Sequence, residues 1–204
     1  MKLKEVAEVS SAGVIKYEEI QVAPLTQEAI LLSGSNLLEL GYLSLIKDGE
    51  NANLRKVYVE PAIFEAKRLE AGDVIFMSRG ASFRATIVQA HDAELNLIPS
   101  PNFTVIKANN MKILPEVVVS FLNSPVGQAK LEGLAVGTAI RNVPVGKLRS
   151  LELTLPSLEE QKQLQRLFYK NIEVLEAMSA LYRQQNATFQ SVVNNMMGEE
   201  IDES

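Results

Sequence analysis

The forty residues from Leu158 to Met197 contain neither proline nor glycine, and no other feature restricts the fold of this chain so strongly. Without a breaker such a run forms one continuous helix, about 60 Å long at ~1.5 Å per residue. Leu167, Val174, Leu181 and Thr188 recur every seven residues along it, and Phe168, Leu175, Tyr182, Phe189 and Met196 do so one position further on. Leu164, Met178 and Val192 form a third row, interrupted by Asn171 and Gln185. Adjacent rows make a face wider than a two-stranded seam needs, as expected of a helix in a bundle of several. A helix of this length cannot bury that face against a small domain at one end, so it calls for partner helices from other chains. The polar interruptions at Asn171 and Gln185 suit a role in fixing register. The competing arrangement folds the segment back around Gln184-Gln-Asn186, where no Gly or Pro is present to make the turn.

The helix start is equally marked. Ser157 and Glu160 have the spacing of a capping box, in which each side chain satisfies the other's orphan backbone N–H. Ahead of it come a Gly/Thr/Arg/Asn loop from Gly137, a short alternating strand and a stop at Pro156.

Upstream, the chain reads as α+β. Residues 1–46 suggest short strands and turns, punctuated at Gly13, Pro24, Gly34 and Gly41. Asp73 to Ser78 and Phe83 to Val88 are β-prone runs joined by Arg79-Gly-Ala-Ser82, a hairpin whose glycine suits a positive φ. Asn102 to Lys107 is a further strand. Pro115 sits at a helix start, with Val117, Val118, Phe121 and Leu122 as its apolar face. Ser124-Pro125 begins a second short helix, for which Gly133 is the expected stop.

Composition narrows the function classes. With 47% apolar residues in 204, the chain can build a real core. It has no Cys and one His, His91, which excludes disulfides and thiolate metal sites and disfavours His-based catalysis. The N-terminus lacks a basic segment followed by an apolar core, and no apolar run is long enough to span a bilayer, so a soluble cytoplasmic protein is expected. Net charge is −5, but unevenly placed: residues 47–149 carry thirteen Lys and Arg against ten acids, while residues 150–204 carry four against nine. A mildly basic middle is compatible with local phosphate neutralisation, and equally with an ordinary solvated surface.

Enzymatic motifs are weak or missing. Glu65-Ala-Lys67 has the Glu-x-Lys spacing of many metal-dependent nucleases, but Pro61 is followed by Ala62 rather than the acidic partner. His91-Asp92 reads as a surface loop, since neighbours on a strand point to opposite faces. There is no phosphate-binding Gly-x-x-x-x-Gly-Lys-Ser/Thr, no dinucleotide fingerprint and no Asn/Asp-Pro-Pro-aromatic motif of adenine methyltransferases.

Three ordered segments carry a family resemblance: "AGDVIFMSRGASFRATIV" at 71–88, "PEVVVSFLNSPVGQAKLEGLAVGTAIRNV" at 115–143 and "LTLPSLEEQKQL" at 153–164. Together they resemble the Gly-Asp strand and Arg-Gly-Ser turn, the paired short helices leading to a Gly-Thr segment, and the Pro-Pro-Leu-x-Glu-Gln helix start of type I restriction-modification specificity subunits. Ser157 replaces the frequent second proline. The resemblance covers roughly residues 41–197; the first 40 match only in an opening similar to Lys-Leu-x-x-Val-Ala-Glu.

The resemblance implies a small mixed α/β target recognition domain at 1–150 and, at 151–204, a long coiled-coil-type helix for dimerisation and methyltransferase docking. Full-length members have two of each; this chain has one, as in half-length members that pair antiparallel, each domain reading half of a bipartite site. The implied protein is non-catalytic and needs no cofactor or metal. Its partners would be double-stranded DNA, a DNA adenine methyltransferase subunit, a restriction subunit in a complete system, and a second copy of itself. Helix contacts would come from Leu164, Leu167, Phe168, Val174, Leu175, Leu181, Tyr182, Phe189 and Met196.

Candidate DNA contacts lie in expected loops: Arg79, Ser82 and Arg84 at the hairpin tip, Thr138, Arg141 and Asn142 in the Gly-Thr loop, and Lys47, Arg55 and Lys56 in a polar connection. Arg suits guanine O6 and N7, Asn suits adenine N6 and N7, and Lys and Ser mostly take phosphates. Each has a plain alternative: Gly137 and Thr138 as a simple turn, Arg84 as a strand residue with a solvated head. Two rival functions remain, a regulatory or decoy homologue that binds the modification subunit without reading DNA, and a coiled-coil adaptor.

Overall fold

The computed structural model describes residues 1–37, 41–43, 45 and 54–197. Its strands, in chain order, are β1 (Ala7–Ser11), β2 (Gln27–Leu32), β3 (Arg55–Val59), β4 (Val74–Met77), β5 (Arg79–Gly80), β6 (Arg84–Ile87), β7 (Leu97–Pro99), β8 (Phe103–Ala108) and β9 (Arg141–Asn142). Its helices are α1 (Pro61–Lys67), α2 (Ala90–Ala93), α3 (Pro115–Asn123), α4 (Pro125–Leu134), α5 (Val145–Arg149) and α6 (Leu158–Met197). The chain forms two compact units, divided between Gln165 and Arg166.

The first unit is built on two larger sheets, beside a two-stranded one of β5 and β9. One is fully antiparallel, in the order β1-β8-β4-β6; the other runs β3-β2-β7, with β2 antiparallel to β3 and parallel to β7. The hairpin expected around Arg79-Gly-Ala-Ser82 forms, pairing Val74 with Ile87 and Met77 with Arg84. All four residues of β4 are buried, and its pleat divides them between two cores. Ile75 and Met77 pack with Phe103 and Val105 of β8 against Ile30, Leu32 and Leu97 of the second sheet. Val74 and Phe76 point the other way, to the face on which α3 lies. The second sheet is covered in turn by Phe64 of α1 and by Ile15, which pack on Leu31, Val57, Val59 and Ile98.

Strand β6 is the edge of its sheet, and its outward backbone groups would otherwise invite another strand. The Asn123 side chain closes that edge: its Oδ1 accepts from the Ala85 N–H and its Nδ2 donates to the Ala85 carbonyl, both at 2.8 Å. The Ile87 N–H donates to the Gly41 carbonyl at 3.0 Å. Gln128 continues the seal with a 3.1 Å bond from Nε2 to the Phe83 carbonyl. Helix α3 begins with Pro115 in its first turn, as expected, and Ser124 caps α4 by accepting from the Gly127 N–H at 3.0 Å. Helix α4 runs one residue past Gly133, to Leu134.

The capping box at the start of α6 is present. The Ser157 N–H donates to Glu160 Oε2 at 2.7 Å and the Glu160 N–H donates to Ser157 Oγ at 3.3 Å. The next residue explains the Leu-x-Glu-Gln pattern physically. Gln161 is buried, and its Oε1 accepts from the Leu114 N–H at 2.9 Å while its Nε2 donates to the carbonyls of Lys112 and Pro156. A neutral side chain with both donor and acceptor is needed to hold the start of α3 and the approach to α6 together.

Helix α6 is continuous over Leu158–Met197, so the alternative break around Gln184-Gln-Asn186 does not occur. Three other expectations change. Arg55 and Lys56 lie on β3 rather than in a connection. The His91-Asp92 pair belongs to α2, where Asp92 accepts the Gln89 N–H at 2.8 Å, so its backbone role replaces a loop. Residues 145–149 form α5 where only a loop and strand were expected, and the following segment makes a single bridge, Lys2 to Glu152.

Candidate nucleic-acid interface

The hairpin tip and the Gly-Thr loop, separated in sequence by about 60 residues, meet in space. Strands β5 and β9 pair antiparallel, with Arg79 opposite Asn142 and Gly80 opposite Arg141. The loop closes on itself through reciprocal bonds between Val136 and Asn142, at 2.8 and 2.9 Å, and the Val143 N–H ties it to the Ser78 carbonyl at 2.8 Å. Gly137 is required there: its φ is +92° and a Cβ would lie 2.5 Å from the Ile140 carbonyl oxygen.

Beside this junction lies an open cleft of about 410 Å³, lined in part by Ser11, Ser78, Arg79, Gly137, Ile140 and Asn142. Arg79 is exposed and Asn142 half-buried. Arg141 does not line the cleft. Its guanidinium pairs with Glu132 and lies over the Phe83 ring, 5.2 Å from the centroid. Thr138 and Ser82 are exposed in the adjoining turns.

The remaining candidates are elsewhere or already engaged. Arg84 donates from Nη1 to the Leu37 carbonyl at 2.9 Å, and its Nε is buried, so its head is turned into the fold rather than solvated. Arg55 is bound to Glu19 at 2.7 Å, an interaction that raises the already high guanidinium pKa, and Lys56 lies 3.3 Å from Glu28. Both belong to the three-stranded sheet, not to the junction. Lys47 lies outside the described residues. Glu65 and Lys67 of the Glu-x-Lys pattern sit two apart on α1, facing different directions, and Glu65 pairs with Arg68 at 3.4 Å.

The same internal engagement affects much of the basic middle. Lys107 holds Glu70 at 2.8 Å and Asp73 at 3.4 Å. The Glu70 carboxyl is lowered by that bond, whereas burial pushes Asp73 up. Arg149 clamps the Val9 carbonyl with two bonds of 2.9 and 2.7 Å. Among the described cations of 47–149, Lys67, Arg79 and Lys147 are the ones with no ion pair or side-chain hydrogen bond, and of these only Arg79 lines the cleft. Sequence reasoning missed Ser11, Ser78 and Ile140 as cleft residues; small polar and apolar residues of that kind carry no local signal.

A sheet-based head with a closed loop junction, followed by a long amphipathic helix, defines the class of fold. No protein-family profile matches the chain, and no curated protein matches it by sequence. Solved structures do. The S subunit of a type I restriction-modification system from M. genitalium superposes with a TM-score of 0.56 at 14% identity, covering 92% of this chain and 42% of that one. The HsdS subunit from Thermoanaerobacter tengcongensis gives 0.53 at 23% identity, covering 97% and 46%. A chain from a structure describing complex assembly and conformational transition of the type I R-M system gives 0.57 at 19%, covering 96% and 46%. The fold of this chain is that of a type I specificity subunit, and the chain spans under half the length of those it matches.

Proposed function

We propose that this chain provides DNA recognition within the specificity subunit of a type I-like restriction-modification system. In this reading residues 1–150 read sequence, α6 pairs with a second copy, and the paired helices present an adenine methyltransferase subunit to the DNA. The chain itself does no chemistry. The observation that carries the reading is the likeness over nearly the whole chain to specificity subunits, with Arg79 and Asn142 brought together in one open cleft. Modification of adenine requires the base to leave the stack, so the recognition domains would hold the duplex on either side while the partner acts.

One observation favours a second reading. Arg55, Lys56, Arg68, Lys107 and Arg141 are all paired with acids of the same chain, leaving few cations for phosphates. A regulatory or decoy homologue, docking the modification subunit without reading DNA, would look like this. Selection of bound sites from a random-sequence duplex pool, by the chain reconstituted with its methyltransferase subunit, separates the two. Recognition predicts a bipartite motif containing adenine and an affinity that falls steeply with salt. Normal partner binding with no enriched sequence makes the decoy reading correct.

A further inference from the structure

Within the recognition reading, on which this inference rests, the two arginines of the junction have different environments. In an antiparallel pair, residues directly opposite each other project from the same face. Arg79 and Asn142 are such a pair, and both line the cleft. The next pair along the ladder is Gly80 and Arg141, which by the pleat project to the other face. Gly80 contributes no side chain there, and the Arg141 guanidinium lies over Phe83 and against Glu132. Neither the Arg79 guanidinium nor the Asn142 amide has a side-chain hydrogen bond or ion pair among the described residues.

We infer that Arg79 and Asn142 form a paired base-reading unit specific for adjacent G·C and A·T base pairs, and that Arg141 is a brace holding β9 and does not touch the bases. The chemistry of the two free groups sets the ligand. A guanidinium matches guanine O6 and N7 bidentately, and a carboxamide matches adenine N6 and N7. Opposed residues of an antiparallel ladder have Cβ atoms about 4.5–5.5 Å apart, and base pairs along one strand are separated by about 3.4 Å. Two side chains splaying from such a pair therefore meet neighbouring base pairs rather than distant ones. The bond from the Val143 N–H to the Ser78 carbonyl, and those between Val136 and Asn142, fix the backbone from which they project.

The test is site selection from the random-sequence duplex pool with the reconstituted complex, run for the unaltered chain and for Arg79→Ala, Asn142→Ala, Arg141→Lys and the charge exchange Glu132→Arg with Arg141→Glu. The unaltered chain should recover a half-site with a G·C pair next to an A·T pair. Arg79→Ala should lose discrimination at the G·C position, and Asn142→Ala at its neighbour, each by roughly 5- to 150-fold. Arg141→Lys and the charge exchange should keep the motif intact, since either retains a pair to position 132. Arg79 is exposed, so its loss leaves the fold standing. A base position lost with Arg141→Lys but kept with Arg79→Ala overturns the assignment while leaving DNA recognition in place. A motif without adjacent G·C and A·T pairs does the same. No enrichment by any form, with the methyltransferase subunit bound, overturns the recognition reading and this inference together.

Discussion

Gly127 and Gly133 lie on the same short helix, α4, and should answer an added methyl group in opposite ways. A Cβ on Gly127 would sit 1.9 Å from the Phe121 carbonyl oxygen and 3.2 Å from the Leu122 Cα, both backbone atoms of α3. The two helices touch there because Ser124 caps α4 immediately after α3 ends, and neither backbone can yield without disturbing the Asn123 bonds that close β6. Gly127→Ala should destabilise by about 3 kcal/mol, at the upper end of overpacking costs. Gly133 has open space at the corresponding point, so Gly133→Ala should stabilise by roughly 0.5–1 kcal/mol through helix propensity alone. Thermal unfolding of the two variants checks both signs, and equal losses would contradict this account of the α3–α4 contact. At this scale the candidate site was half legible. Arg79, Arg141 and Asn142 could be named from their residue types and flanking glycines. That Arg141 turns away could not, because its direction depends on the register of a two-residue ladder joining segments far apart in the chain.

Elements were legible where a local rule was strong and hidden where tertiary packing overrode it. The β4–β6 hairpin and the starts of α3, α4 and α6 each carry a turn glycine, an N1 proline or a capping residue. Strand β3 escaped because Arg55 and Lys56 look like loop residues, yet their acids stand nearby, Glu28 on the adjacent strand β2 and Glu19 in the segment before it. Helices α1 and α5, of seven and five residues, are too short for an apolar period to emerge. The capping box of α6 also makes a pH prediction. The Ser157 hydroxyl, and then its backbone N–H, hold the Glu160 carboxyl below its usual value. A carboxylate with a depressed folded-state pKa contributes stability above its unfolded pKa, about 4.3, and loses it as pH falls through the lower folded value. Helix content followed by circular dichroism from pH 7 downward should therefore fall in that acidic window. Glu160→Gln should remove this part of the dependence, and an unchanged acid profile would show that the box contributes nothing to the helix start.

On the scale of the whole molecule, the second unit carries an unusual amount of apolar surface. Leu167, Val174, Leu181, Tyr182, Phe189 and Met196 of α6 are each more than half exposed. Rows of this kind, continuous over several turns, exceed the scattered apolar residues that a monomer's surface tolerates, as the proposed pairing through α6 requires. Their width fits packing against more than one helix, and Asn171 and Gln185 interrupt the third row where a polar contact can select one alignment. Leu181→Glu combined with Tyr182→Glu places two charges in the middle of that face. Sedimentation at micromolar concentration should then show loss of assembly, with binding to a methyltransferase subunit weakened as well. The melting of the sheet-based head should stay as it was, because none of its buried residues lies on this stretch. An unaltered chain that is a soluble monomer and ignores methyltransferase helices would remove the reason for the face, and with it the proposed pairing through α6.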